Sequence, residues 1–213
     1  MYDPETWQAF LQSSHTLPTS KREYPEWHQG RSRFCVWAIL LEQASIVSLQ
    51  RQAQSWLQDY LLLPYSRQPH ITLTACGFWQ PEAALQQEDN FSGLQQHLQL
   101  LDSAELSPFE LQLGGLNSFT TVPFFEVSDP GAMLGKLRQS LPSYFETIRQ
   151  VPYCPHVTIG CYNKAWPTAD IAKRIQAFPP VAPVTIKVEQ IALLSYSTKD
   201  IGSSLEVEYS YKL

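Results

Sequence analysis

The sequence predicts an α+β fold. Two pseudo-symmetric lobes, each an antiparallel sheet backed by helices, face one another across a central groove. Three observations predict it. A six-residue phrase occurs twice, as Pro69-His70-Ile71-Thr72-Leu73-Thr74 and as Pro155-His156-Val157-Thr158-Ile159-Gly160. Short β-rich runs alternate with helical patterns along the chain. Their order is strand, helix, strand, helix, two strands, helix, strand, helix, two strands, so the second half echoes the first.

Residues 1–32 read differently from the rest and are expected to be an N-terminal extension to a bilobal domain over 33–213. Asp3-Pro4-Glu5 is a helix start, and residues 13–31 are polar and interrupted by Pro18, Pro25 and Gly30. This arm carries Tyr24, Trp27 and His28. It either packs over the body through its aromatic side chains, or sends Trp27, His28 or Arg31 into the groove. Arg33 to Leu41 (RFCVWAILL) is a buried strand on which Trp37 shares a face with Arg33, Cys35 and Ile39.

Gln43 to Leu62 is a helix, with Ile46, Leu49, Ala53, Trp56, Leu57 and Tyr60 on one apolar face and Pro64 beyond its end. The first motif strand runs from His70 to about Phe78. After a break at Pro81, residues 82–89 fit no single pattern, and Leu94 to Leu101 makes a short helix. Phe109–Leu113 and Phe124–Val127 are strands flanking Gly114-Gly115 and Asn117-Ser118. Asp129 and Pro130 suit the N-cap and first turn of a helix reaching about Phe145, unless Pro142 breaks it. The second motif strand runs from His156 to about Tyr162. A last helix begins at Thr168 and ends near Phe178. Val184–Ser197 and Leu205–Leu213 are the final strands, with a turn at Asp200-Ile201-Gly202.

Each motif alternates polar and apolar residues and is rich in β-branched types, the pattern of a strand with one buried face. His70 and Thr72 therefore share one face, as do His156 and Thr158. Gly160 leaves space on the second face, and Tyr162 follows in register to donate a hydrogen bond to a phosphate. Two imidazoles across a groove, each with a hydroxyl beside it, suit acid–base chemistry at phosphorus. One takes the proton of water and the other protonates the departing oxygen. The threonines would hydrogen-bond the non-bridging oxygens.

Paired His-x-Thr strands in a chain of this size resemble the 2H phosphoesterase superfamily. That group includes RNA 2',3'-cyclic phosphodiesterases, often labelled 2'-5' RNA ligases, and plant-type cyclic nucleotide phosphodiesterases. The resemblance covers about residues 33–213. It implies a metal-independent phosphodiesterase opening 2',3'-cyclic phosphates on nucleotides or RNA ends. His70 and His156 are its catalytic pair, and Thr72, Thr158 and Tyr162 its phosphate contacts. Val36-Trp37-Ala38-Ile39 is similar to the first strand of the plant-type enzymes, whose tryptophan lies beside the nucleotide. Trp37 is thus a stacking candidate as well as a core one. The resemblance makes Phe119 and Phe125 groove candidates on the same terms. A 2'-5' or cyclic oligonucleotide phosphodiesterase or RNA ligase is the alternative activity. A nucleotide- or RNA-end-binding module without turnover is the alternative class.

Bulk properties narrow the classes. With 213 residues and 44% hydrophobic content the chain can bury a core. A net charge of −5 disfavours binding along a long nucleic acid and favours a small nucleotide or an RNA end. Cys35, Cys76, Cys154 and Cys161 show no zinc-ligand spacing and are expected as reduced thiols. No apolar run is long enough to span a bilayer, and the N-terminus has no signal-peptide pattern. A cytoplasmic monomer is expected, with no cofactor, metal or membrane partner. No phosphate-binding Gly-rich loop of Walker type and no Gly-x-Ser-x-Gly elbow occurs.

Overall fold

The computed structural model describes residues 4–19, 23–79, 90–91, 93–144 and 152–213. The break at Pro81, the stretch 82–89 and the side chain of Tyr24 lie outside the described residues.

Six helices and nine strands follow in the order α1 (Pro4–Gln12), α2 (Glu23–His28), β1 (Arg33–Leu40), α3 (Ala44–Trp56), β2 (His70–Trp79), β3 (Asn90–Phe91), α4 (Leu94–Ser103), β4 (Phe109–Ser118), β5 (Pro123–Ser128), α5 (Met133–Gln139), β6 (His156–Thr158), α6 (Thr168–Gln176), β7 (Val184–Val188), β8 (Gln190–Ser197) and β9 (Leu205–Lys212), among the described residues. They build two sheets, ordered β3-β2-β1-β8-β9 and β6-β5-β4-β7. Every pairing is antiparallel except the short β2–β3 contact.

The two halves repeat one unit. In each, a strand is followed by a helix and then by a His-x-Thr strand paired antiparallel to the first: β1–α3–β2 and β5–α5–β6. After one further strand in the same sheet, β3 in the first half and β7 in the second, the chain crosses to the other sheet. After β2 and α4, β4 pairs with β5; after β6 and α6, the chain reaches β8, which pairs with β1. Each sheet is therefore completed by a strand from the other half. The lobes are interleaved along the sequence rather than divided at its midpoint.

This crossing breaks the strand expected over Val184–Ser197. β7 joins the second sheet and β8 the first, with Glu189 between them. β7 buries one face, through Ile186 and Val188, whereas β8 is buried on both, through Ile191 and Leu193 on one side and Ala192 and Leu194 on the other.

Both motif strands bury the side opposite their histidines. Ile71 and Leu73 on β2, and Val157 on β6 with Ile159 just beyond it, enter one core with Trp37, Leu111, Phe125 and Ile186. Burying an aliphatic side chain of this size is worth about 1.5–3 kcal/mol. Helix α3 covers this core with Ile46 and Ala53, and α6 with Ile171 and Ile175. The two helices are joined by Trp56, whose Nε1 donates to Arg174 O at 2.9 Å while the Arg174 guanidinium lies 3.8 Å over its ring.

Helix α3 ends at Trp56 rather than Leu62. The chain turns through a short 3-10 segment at 58–60, and Leu61 bridges to Tyr162. Gly160 permits this. A Cβ there would stand 3.2 Å from Leu61 Cδ1, so the space the glycine leaves is filled by a close approach of Leu61. Helix α5 also starts later than expected and ends earlier, at Gln139 rather than near Phe145. Asp129 still acts as its cap, accepting Leu134 N at 2.7 Å through Oδ2, but the helix begins only after a turn through Ala132 with φ +53°.

The N-terminal residues pack on both halves. Trp7 and Phe10 of α1 enter the main core, and Thr16 N and Thr19 N donate to Trp166 O and Tyr162 O. Trp27 of α2 lies instead on the first sheet, 5.1 Å from Phe34 and 5.0 Å from Phe78. No helix among the described residues is long and apolar enough to cross a membrane.

Candidate active site

Strand β2 lies against β6, so the two motifs meet at one cavity of about 610 Å³. His70, Thr72, Phe119 and His156 line it. Thr158 shares the His156 face, half-buried, but stands outside the cavity lining.

The two histidines are held alike. His70 Nδ1 lies 2.8 Å from Gln68 O, and His156 Nδ1 lies 2.8 Å from Cys154 O. A carbonyl only accepts, so each Nδ1 carries the proton and each Nε2 keeps its lone pair. Both acceptor residues precede a proline, which holds the residue before it in extended conformation. Gln68 is further fixed by two bonds to the Leu205 backbone, at 2.7 and 3.0 Å.

Burial governs both imidazoles. It takes the pKa of His70 down to about 4, with the charges of Arg67 and His156 acting in the same sense and the bond to Gln68 O opposing. Burial also lowers His156, against the bond to Cys154 O. Both rings are neutral at neutral pH. Phe119 meets the His156 ring edge-on at 5.1 Å and stacks on Phe124 at 4.3 Å, which fixes the imidazole plane.

Two arginines that sequence patterns did not single out line the same cavity. The Arg67 guanidinium lies 3.9 Å over Tyr196, with Nε donating to Ser203 O at 3.3 Å. The Arg138 guanidinium lies 3.6 Å over Tyr153, whose hydroxyl donates to Thr72 O at 2.7 Å. Stacking on a tyrosine holds each cation in a fixed plane. A lone arginine in a loop or on a short helix has no sequence signature that separates it from a solvated charge.

Three other expected site residues are placed in the core. Trp37 is fully buried, and its Nε1 donates to His97 Nδ1 at 2.9 Å. Phe125 is fully buried against Phe178. Tyr162 is fully buried with its hydroxyl 2.6 Å from Ser118 Oγ, so it has no surface or free hydrogen to offer a phosphate. Strand β6 ends at Thr158, and the alternation that aimed Tyr162 at the groove ends with it. Of the arm residues, Trp27 lines the cavity. Arg31 lies behind it, 3.7 Å over Phe78, and His28 accepts Gly30 N at 3.0 Å. All four cysteines are free thiols, and Cys154 borders the cavity. Among the described residues no three His, Cys, Asp or Glu side chains cluster as metal ligands.

The fold has solved counterparts. A protein of Thermus thermophilus, TT0787, matches with a TM-score of 0.51 at 22% identity, over 84% of this chain and 97% of that one. E. coli LigT complexed with 3'-AMP matches with a TM-score of 0.52 at 16% identity, over 85% of this chain and 98% of that one. At these identities the likeness is one of fold. No curated protein matches the chain in sequence. Residues 46–200, which hold both His-x-Thr strands, match the sequence model of the 2'-5' RNA ligase superfamily. The chain belongs to that superfamily, the 2H phosphoesterases.

Proposed function

We propose that this protein is a metal-independent phosphodiesterase that opens 2',3'-cyclic phosphates on nucleotides or RNA ends. One observation carries the reading. Two histidines line a single cavity, each with Nδ1 tied to a carbonyl and Nε2 left for proton transfer. His70, the imidazole flanked by the charges of Arg67 and His156, acts as general base. Its Nε2 takes a proton from water as the water oxygen bonds to phosphorus. The bond from phosphorus to the ribose 2'- or 3'-oxygen breaks, and that oxygen takes the Nε2 proton of a protonated His156. The substrate phosphate supplies the negative charge that favours protonation of the buried pair. Thr72, Thr158, Arg67 and Arg138 are the candidate groups for its non-bridging oxygens.

A nucleotide in this cavity agrees with the complex of E. coli LigT with 3'-AMP. Residues 33–213 are the body that carries the reaction, and residues 1–32 an addition that completes the cavity wall. The deciding experiment is hydrolysis of the four nucleoside 2',3'-cyclic monophosphates in EDTA by wild type and His156→Ala. Turnover by wild type and its loss in the variant are expected. Equal turnover by both would remove His156 from the reaction. Turnover that needs added Zn²⁺ or Mn²⁺ would overturn the metal-free chemistry.

A further inference from the structure

The cavity is long, and its two ends differ in chemistry. Its β2 wall runs from His70 through Thr72 and Thr74 to Ala75, about 16 Å at the usual strand rise. The histidines occupy one end. Beyond Ala75, where Phe34 pairs with Phe78, the cavity is bordered by Trp27, Phe34 and Tyr196. Arg67 stands between the ends. It lies over Tyr196, and its charge acts on His70. The aromatic end is a stacking surface apart from the histidines along the strand.

Trp27 is held ready there. Arg31 Nε donates to His28 O at 3.0 Å, and its terminal nitrogen donates to Trp27 O at 3.3 Å. Arg31 O in turn accepts Thr198 Oγ1, and Thr198 N donates to Ser32 O at 3.0 Å. The segment bearing Trp27 is thereby tied to the end of β8. It precedes the stretch matched by the family, which begins at residue 46.

Resting on the cyclic-phosphate reading above, we propose that Trp27, with Phe34 and Tyr196, stacks the base of the nucleotide that precedes the reacting one. The substrate class is then a short single-stranded oligonucleotide ending in the reacting phosphate, not a mononucleotide. Arg67 meets the internucleotide phosphate. Aromatic stacking accepts any base, and a net charge of −5 leaves contacts beyond this point to stacking rather than to a track of cations.

The test compares adenosine 2',3'-cyclic phosphate, the adenylate trinucleotide ending in a 2',3'-cyclic phosphate, and that trinucleotide with its middle base removed. Wild type should prefer the intact trinucleotide. Trp27→Ala should lower kcat/KM on it by about ten-fold, chiefly through KM, and leave the mononucleotide unchanged. Trp27→Phe should restore most of the loss, and the base-free trinucleotide should behave with wild type as the intact one does with Trp27→Ala. An equal loss on mononucleotide and trinucleotide would make Trp27 a structural residue and overturn the proposal, as would the absence of any length preference in wild type. If wild type hydrolyses neither substrate, the reaction assignment fails. Calorimetry with the 3'-phosphorylated trinucleotide and adenosine 3'-monophosphate then decides the stacking site alone. Tighter trinucleotide binding that is lost in Trp27→Ala upholds it, and equal binding overturns it.

Discussion

A proton on His156 disfavours a second proton on His70. The two rings line one cavity, and the charge of His156 adds to burial and to Arg67 in lowering His70. Proton uptake by one ring therefore opposes uptake by the other. One neutral and one protonated imidazole is the state that a base and an acid on opposite sides of phosphorus require.

In the proposed reaction the histidines act as one unit, so their losses should not add. His70→Ala and His156→Ala are each expected to lower kcat by about 10²- to 10⁴-fold on a cyclic phosphate. The double variant should be little slower than either single one. Steady-state rates of the three variants, with circular dichroism to verify folding, check this. Losses that multiply would mean that the two rings serve separate steps.

The depressed pKa of His70 also sets a pH dependence of stability. Its folded value, about 4, lies below the unfolded value of 6.5, so acid favours the unfolded chain. Its contribution is fully present above pH 6.5 and is lost as pH falls from there through 4. Over that window one proton changes the unfolding free energy by about 1.4 kcal/mol per pH unit. His156 and His97, also lowered by burial, act in the same direction. Urea unfolding of His70→Gln should therefore show a shallower loss of stability than wild type between pH 6.5 and 4. Parallel curves would mean that His70 titrates normally.

Arg67→Gln should alter two readouts in different ways. Removing the cation lifts one of the influences that lower His70, so the acid limb of kcat/KM should move to higher pH. It also removes a fixed guanidinium from the cavity, which should raise KM. Charge-assisted hydrogen bonds of this kind contribute about 1.5–3 kcal/mol. Arg67→Lys keeps the charge but not the planar contact with Tyr196, and should retain the pH profile while still raising KM. An unchanged acid limb in Arg67→Gln would separate Arg67 from His70.

The sequence carried the motif strands because their alternation has a physical cause. Ile71, Leu73, Val157 and Ile159 are buried, and that leaves His70, Thr72, His156 and Thr158 on the other face. Alternation does not say which face of β1 meets the cavity. Phe34 and Val36 border it, and Trp37 points into the core between sheets and helices. Which tryptophan reaches the cavity depends on how α2 lies over β1, a long-range contact with no local signal. The break between β7 and β8 left little trace, because Ile191, Ala192, Leu193 and Leu194 are apolar on both faces of β8 and continue either phase. Arg67 and Arg138 left none, because their roles come from Tyr196 and Tyr153, distant in sequence.

Gly202 supports the site from a distance. It has φ +74°, and a Cβ there would stand 2.5 Å from Tyr65 Cδ2. Its carbonyl accepts Ser66 N at 2.8 Å, and the next residue's carbonyl accepts Arg67 Nε. The turn at 200–203 thus holds the segment that leads through Arg67 and Gln68 to His70. Gly202→Ala combines a left-handed backbone with a steric clash, and Tyr65 must move away to relieve the contact. The expected cost is about 1–2 kcal/mol, read as a lower urea midpoint at unchanged slope. Because displacement of Tyr65 and Ser66 carries Arg67 with it, KM should also rise, while kcat, which the proposed reaction assigns to the histidines, should change less. A stability loss with unchanged KM would mean that Arg67 is positioned by Tyr196 alone and not by the turn.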